Sequence, residues 1–420
     1  MYRIETLPNG VRVISEQNPN VRSVSLGVWI ASGTRHEPIA QNGASHFIEH
    51  MLFKGTDHAT AADLADRMDA LGGEINAFTT KECTCFYGRV LDEKLTEFAD
   101  MLADMLFCSR FDEESVEIER GVINEEIGMC DDTPDDLAIE NLFLGVFRDT
   151  PLGYPILGTR ESLKPMTGKI LRTYKDANYT ADAAVISLSG HFTDADLDHI
   201  KRVLGAFPAG ARPQSGLSAY RPALACVEKP TEQNNIVIGF PALSYLSEQR
   251  YAMQILNNIV GGNMSSRLFQ RVREQLGLCY SVHSFLSTHS DCGVFSVYIG
   301  TGAASEQKAM TEIGAVLREI AENGVTEEEV TKVCDSIRSA LLMSMESTSA
   351  RMNHMGKGLL LQKHVLNPDE VAAKYLSVTR EEINELARAT FRPELLSLSA
   401  VTAKGSAETY AKWVADGLRG

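Results

Sequence analysis

The pattern of residues 1–210 recurs in residues 223–420, and that repetition restricts the fold more than any other feature of the chain. In the first half, apolar or alternating runs at residues 10–15 and 22–32 read as strands. A helix with apolar Phe47, Ile48, Met51, Leu52 and Phe53 follows, then a helix at Ala59–Leu71 stopped by Gly72-Gly73. Paired strands at Glu74–Thr80 and Cys83–Val90 precede helical periodicity at Asp92–Leu106 and Asp112–Met129. The acidic stretch Asp131–Asp136, with Pro134 inside it, reads as a turn before a helix at 136–147; Ala183–Ser189 reads as a strand. After the midpoint the order returns: strand Asn235–Phe240, helix Glu248–Val260, Gly261-Gly262, a short amphipathic helix through Arg273, strands Tyr280–Leu286 and Gly293–Ile299, then long helices over 304–363. The ends of the halves match as well. NYTADAAVISLSG (178–190) and TFRPELLSLSAV (390–401) each read as a helix end, a Thr and an apolar strand. Between the halves, AGARPQSGLSAYRP (209–222) is rich in Gly, Pro, Ser and Ala. The expectation is an α+β fold of two duplicated α/β domains, with mixed, mainly antiparallel sheets flanked by helices: 1–210, a linker at 211–222, and 223–420.

Within the first half, His46-Phe47-Ile48-Glu49-His50 spells H-x-x-E-H. Residues i and i+4 share a helix face, so His46 and His50 can offer two imidazoles to one zinc ion. Glu49, one residue before the second ligand, lies close enough to take a proton from water at the metal without binding it. The pattern is that of inverted zincins. A zinc enzyme of this kind needs a third protein ligand, and VEIERGVINEEIGM (116–129) supplies carboxylates on a helix. Glu119 and Glu126 are seven residues apart, two turns, and share a face; Glu125 points about 100° away. If Glu126 binds the metal, Glu119 stands beside it and can orient a ligand.

Composition limits the partners. The net charge is −16. It is concentrated in the half with the His motif, where 34 Asp and Glu face 19 Lys and Arg; the other half carries 22 against 21. That disfavours nucleic acid and is compatible with drawing cationic peptides to the site. No run of eighteen apolar residues is present, so no membrane span is expected. The N-terminal MYRIETLPNGVRVISEQ lacks the apolar core of a signal peptide, and a cytoplasmic location is expected. Eight scattered cysteines without a C-x-x-C pair read as reduced thiols.

The order HFIEH followed, 76 residues after His50, by Glu126 with Glu119 before it resembles the pitrilysin family of zinc peptidases. GGEINAFTTKE (72–82), PLGYPILGT (151–159) and FQRVREQLGLCYSV (269–282) extend the likeness over nearly the whole chain. The resemblance implies one zinc per chain on His46, His50 and Glu126, with Glu49 as general base and Glu119 beside the ligands. It implies that Asn76, Ala77 and Phe78 lie on an edge strand that pairs with substrate, and that Arg273 and Tyr280 donate toward the oxyanion or the peptide backbone. In length the chain is similar to short bacterial members and to subunits of mitochondrial processing peptidase. That implies a homodimer of half-shells enclosing a chamber, which hydrolyses short or unfolded peptides. Two other readings stay open: a non-catalytic subunit of the same fold, as in the respiratory cytochrome bc complex, and a zinc amidase of another substrate class.

Overall fold

The structure, a computed structural model, describes residues 2–420. Among these residues, eleven strands form two sheets. β1 (Arg3–Thr6), β2 (Arg12–Gln17), β3 (Ser23–Ile30), β4 (Glu74–Thr79), β5 (Thr84–Leu91) and β6 (Ala184–Gly190) build the first, in the order β1-β2-β6-β3-β5-β4. β7 (Leu224–Glu228), β8 (Asn234–Ala242), β9 (Cys279–Thr288), β10 (Gly293–Thr301) and β11 (Ser397–Thr402) build the second, in the order β7-β11-β8-β10-β9. The duplication is visible in the register. β6 runs parallel to β2 and antiparallel to β3; β11 runs parallel to β7 and antiparallel to β8. All other neighbours are antiparallel. The half-end segments thus occupy the same place in each sheet, and β4 and β9 are equivalent edges.

The central strands carry near-continuous apolar and small residues because both faces are covered. All of β3 but its first residue is buried, as is the whole of β10. In the first half, α1 (Ala44–Met51), α2 (Ala61–Leu71), α3 (Leu95–Cys108), α4 (Glu113–Asp132) and α5 (Pro134–Val146) follow one another. The Asp131–Asp136 stretch is not an extended turn. α4 runs to Asp132 and α5 begins at Pro134, so Thr133 alone separates them. Proline is tolerated there because the first N–H of a helix has no intrahelical partner to lose. The segment through Arg273 is also not an ordinary α-helix: Phe269–Gln275 is wound as a π-helix.

The compact units are not the two halves of the sequence. One comprises the chain up to Ile127, Tyr154–Gly216 and Leu342–Pro368. The other comprises Gly128–Gly153, Leu217–Leu341 and Asp369–Gly420. In the first unit, helix Thr348–Lys357 lies on β3 and β6, where Ser25 Oγ shares a hydrogen bond with Thr348 Oγ1 (2.9 Å) and Ser187 Oγ donates to Met352 O (2.8 Å). In the second, α5 lies on β8 and β11, with Leu142 and Val146 packed among Val237, Val294 and Val401. Each sheet is therefore covered by a helix from the opposite half of the sequence. A glycine makes each approach possible: a Cβ on Gly27 of β3 would meet Met352 Sδ at 2.4 Å, and one on Gly239 of β8 would meet Leu142 at 3.0 Å.

Candidate metal centre

α1 starts without a side-chain cap. Its N-cap is Gly43, with φ of +93° and Leu157 O and Gly158 pressed against it, so a left-handed residue without Cβ is needed there. The unpaired N–H groups are met instead by a buried carboxylate from upstream. Glu37 Oε2 accepts from Gly43 N (2.7 Å) and Asn42 Nδ2 (3.0 Å), and Oε1 accepts from Ser45 N (2.7 Å). Ala44, Phe47, Ile48 and Met51 anchor the helix in the core. That leaves His46, Glu49 and His50 on the half-buried face.

The i, i+4 spacing places the His46 and His50 ring centroids 4.6 Å apart. α4 brings in both carboxylates. His46 Nε2 lies 3.8 Å from Glu126 Oε2, and His50 Nε2 lies 3.6 Å from Glu126 Oε1. Glu119, seven residues earlier and 2% exposed, accepts from His50 Nδ1 at 3.0 Å. Its other oxygen meets Lys54 Nζ at 2.7 Å. With its proton on Nδ1, held by Glu119, His50 turns the lone pair of Nε2 toward Glu126.

These residues fit a zinc ion. One ligand atom from each of His46, His50 and Glu126 lies within 4.8 Å of the other two. The N-to-O separations are too long for hydrogen bonds, yet close to the spacing of about 3.3 Å between ligands that each sit about 2.0–2.2 Å from one tetrahedral ion. Burial, reinforced by the neighbouring His50, lowers the His46 pKa to about 3, so its imidazole is in the neutral, ligating form. Its buried Nδ1 has no hydrogen-bond partner among the described residues.

Glu49 is not one of the three. Thr79, the last residue of β4, donates from Oγ1 to Glu49 Oε2 at 2.5 Å. Burial raises the Glu49 pKa, with Glu126 acting in the same direction, while Thr79 and His50 oppose it. The result is a carboxylate with more affinity for a proton than an exposed one, pinned at one oxygen.

The same Thr79 ends the edge strand. Thr80 N donates to Cys83 O at 2.8 Å, closing the β4–β5 hairpin. By the antiparallel alternation, Phe78 and Asn76 bond inward to β5, and Ala77 turns its N–H and C=O to the open edge. The Ala77 N–H meets Asn76 Oδ1 at 2.8 Å. The Phe78 ring packs edge-on against Trp29, centroids 5.5 Å apart.

Arg273 and Tyr280 belong to the second compact unit. Their seven-residue spacing brings them together: the Arg273 guanidinium lies 4.6 Å from the Phe269 ring centroid and 5.1 Å from that of Tyr280. Tyr280, near the start of edge strand β9, is 76% exposed.

Three residues of the centre escape a reading of the sequence. Lys54 stands one turn beyond His50, a spacing that could have marked it. Thr79 and Glu37 carry no local signal, because their partners lie 30 and 6 to 8 residues away across loops.

Two profiles match the chain: Insulinase (Peptidase family M16) over residues 12–160, and Peptidase M16 inactive domain over residues 165–337. An uncharacterized zinc protease of Bacillus subtilis, YmxG, is 41% identical over 97% of this chain and 99% of its own length. An uncharacterized zinc protease of Streptomyces coelicolor is 38% identical over 92% of this chain and 86% of its own. Among solved structures, a protease from Helicobacter pylori superposes with a TM-score of 0.90 at 18% identity, over 96% of this chain and 99% of that one. A chain of Complex III2 from Candida albicans superposes with a TM-score of 0.84 at 17% identity, over 98% and 99%. Those two likenesses show the fold; the long, high-identity alignments to the zinc proteases show the kinship, and the chain belongs to peptidase family M16, the insulinase family.

Proposed function

We propose that this protein is a zinc-dependent endopeptidase acting on short or unfolded peptides. His46, His50 and Glu126 would hold one zinc per chain. When bound, zinc polarises the scissile carbonyl and makes water a better nucleophile at neutral pH. Glu49 accepts the proton of the attacking water and returns it to the leaving amine. Thr79 keeps one Glu49 oxygen engaged, so the other is directed at the water. Glu119 and Lys54 hold the His50 tautomer. Substrate pairs as an added strand along the open edge of β4 at Asn76–Phe78, through the outward N–H and C=O of Ala77 between Asn76 and Phe78. Backbone pairing reads an extended chain rather than its sequence. Arg273 and Tyr280 donate to the oxyanion or to the substrate backbone. The chain works as a homodimer in which those two residues serve the zinc of the other protomer. The observation that carries this reading is the convergence of three ligand atoms beside a carboxylate that binds none of them. That complete set also weighs against a purely structural subunit, and no feature points to a non-peptide amide.

The test is Glu49→Gln. It is expected to keep stoichiometric zinc and a native circular dichroism spectrum while lowering cleavage of a quenched peptide by a factor on the order of 10² or more. Near-normal turnover would remove Glu49 from the chemistry. Full zinc content in His46→Ala would remove the proposed ligand set.

A further inference from the structure

A second group of metal-binding side chains sits apart from the His46 centre, where the chain leaving α1 meets the end of α3. Asp104 and Cys108 are one turn apart and share a face of α3. His58 projects from the loop opposite, and one ligand atom from each of the three lies within 4.8 Å of the others. His58 Nδ1 and Asp104 Oδ1 are 2.5 Å apart, and the Cys108 thiol is hydrogen-bonded to Asp104. The second Asp104 oxygen is held from behind: buried Thr56 donates from Oγ1 to Oδ2 at 2.7 Å. Such support is what a ligating carboxylate needs to keep its orientation.

The two segments are already clamped by their backbones. Asp57 N donates to Cys108 O (2.9 Å), Arg110 N donates to Gly55 O (3.3 Å), and Thr56 and Ser109 form a β-bridge. His58 and Ala59 both donate their N–H to Thr56 Oγ1, at 3.1 and 3.0 Å. Little conformational freedom remains to be lost on binding. Asp57 adds negative charge near both His58 and Cys108. Against it, Arg67 lies 4.0 Å from Asp104, and Lys175 faces Cys108.

We propose that His58, Asp104 and Cys108 form a second divalent-metal site, which takes zinc, cobalt or cadmium. The mixed sulfur, nitrogen and oxygen set excludes magnesium and calcium, which prefer all-oxygen shells. The half-exposed position leaves a coordination place for water. The ion displaces the Cys108 thiol proton, which is released to solvent, and takes the Nδ1 lone pair of neutral His58, whose remaining proton sits on Nε2. It ties the exit of α1 to α3, a brace rather than a second reaction centre.

Cobalt is the probe, because of the two groups of metal-binding side chains found among the described residues this one offers it sulfur and the one at His46, His50 and Glu126 does not. The full chain, stripped with chelator and titrated with Co²⁺, is expected to bind about two equivalents, one of which brings a thiolate-to-cobalt charge-transfer band in the near ultraviolet. Cys108→Ser is expected to abolish the band and leave about one equivalent. His58→Ala, an exposed change with little risk to folding, is expected to weaken the band-forming event at least about tenfold. His46→Ala is expected to keep the band. A wild-type chain without the band, a band that survives Cys108→Ser, or its loss in folded His46→Ala would overturn the proposal and leave only a hydrogen-bonded surface trio.

Discussion

In the proposed zinc site, His50 can offer Nε2 to the metal only with its proton on Nδ1, where Glu119 accepts the hydrogen bond. Glu119 is buried and negative, with Lys54 on its other oxygen, so it raises the electron density that Nε2 can offer to a cation. Glu119→Gln retains an oxygen acceptor for the Nδ1 proton but loses the charge, and it leaves Lys54 without its partner. Zinc affinity is expected to fall about 10–100-fold, read by competition with a chromophoric chelator. An unchanged affinity would mean that Glu119 supports the fold and not the metal. Glu37 presents a different case. It binds no ligand, yet it receives the first N–H groups of α1, three residues before His46. Glu37→Gln places an amide N–H where an acceptor was, at a cost of about 1–3 kcal/mol for a buried donor left unpaired. A denaturant titration showing no loss would contradict this account of how α1 is started. The difference between these two residues also explains what the sequence could reveal. Glu119 stands two turns from Glu126 on one helix, so spacing alone places it. Glu37 and Thr79 reach the site across loops, and only the folded backbone defines such a path.

Among elements, the helix exchange is the feature that periodicity could not convey. The pattern of Thr348–Lys357 announces a buried face, with Met352 and Met355 inward, but nothing local says which sheet receives it. The receiving strand is marked only by a glycine: Gly27 lies opposite Met352, and Trp29 next to it on the same face packs against Gly356. A Cβ on Gly356 would stand 2.2 Å from Trp29 Nε1 and 2.6 Å from Cδ1. The ring cannot swing away, because Trp29 is 2% exposed and meets Phe78 edge-on. Gly356→Ala gains about 1 kcal/mol in helix propensity but overpacks a rigid contact, at a cost of about 1–3 kcal/mol or more at so short a distance. A net destabilisation of about 1–2 kcal/mol is expected by urea unfolding. A more stable variant would show that the helix can rise off the sheet without penalty. The sheets themselves were better announced. Alternation found β3, β5, β8 and β10, and the matched half-ends found β6 and β11, because each of these strands carries its own apolar run. Of the short edges, β1 exposes all but Glu5 and β7 exposes alternate side chains, and both leave a fainter pattern.

At the scale of the molecule, duplication and division of labour go together. Helix Arg250–Asn257 follows β8 as α1 follows β3, but it reads RYAMQILN and has no His, Asp or Glu to bind a metal. Accordingly, residues 165–337 match the Peptidase M16 inactive domain. The second unit instead presents Tyr280 on β9, the counterpart of β4, with Arg273 stacked against its ring. If this pair completes the zinc site of a second protomer, complementation separates it from the alternatives. Glu49→Gln and Tyr280→Phe proteins are each expected to be nearly inactive alone. Mixed and allowed to exchange subunits, half of the dimers contain one chain of each kind, and in each of these one site has both its base and its tyrosine. Activity is then expected to recover to roughly a quarter of wild type. A donor acting within its own chain gives a different result, because every mixed dimer then holds one site without a base and one without a tyrosine. Subunit exchange proven by mass spectrometry, with no recovery of cleavage, would therefore place Tyr280 in its own chain's site or outside the chemistry altogether.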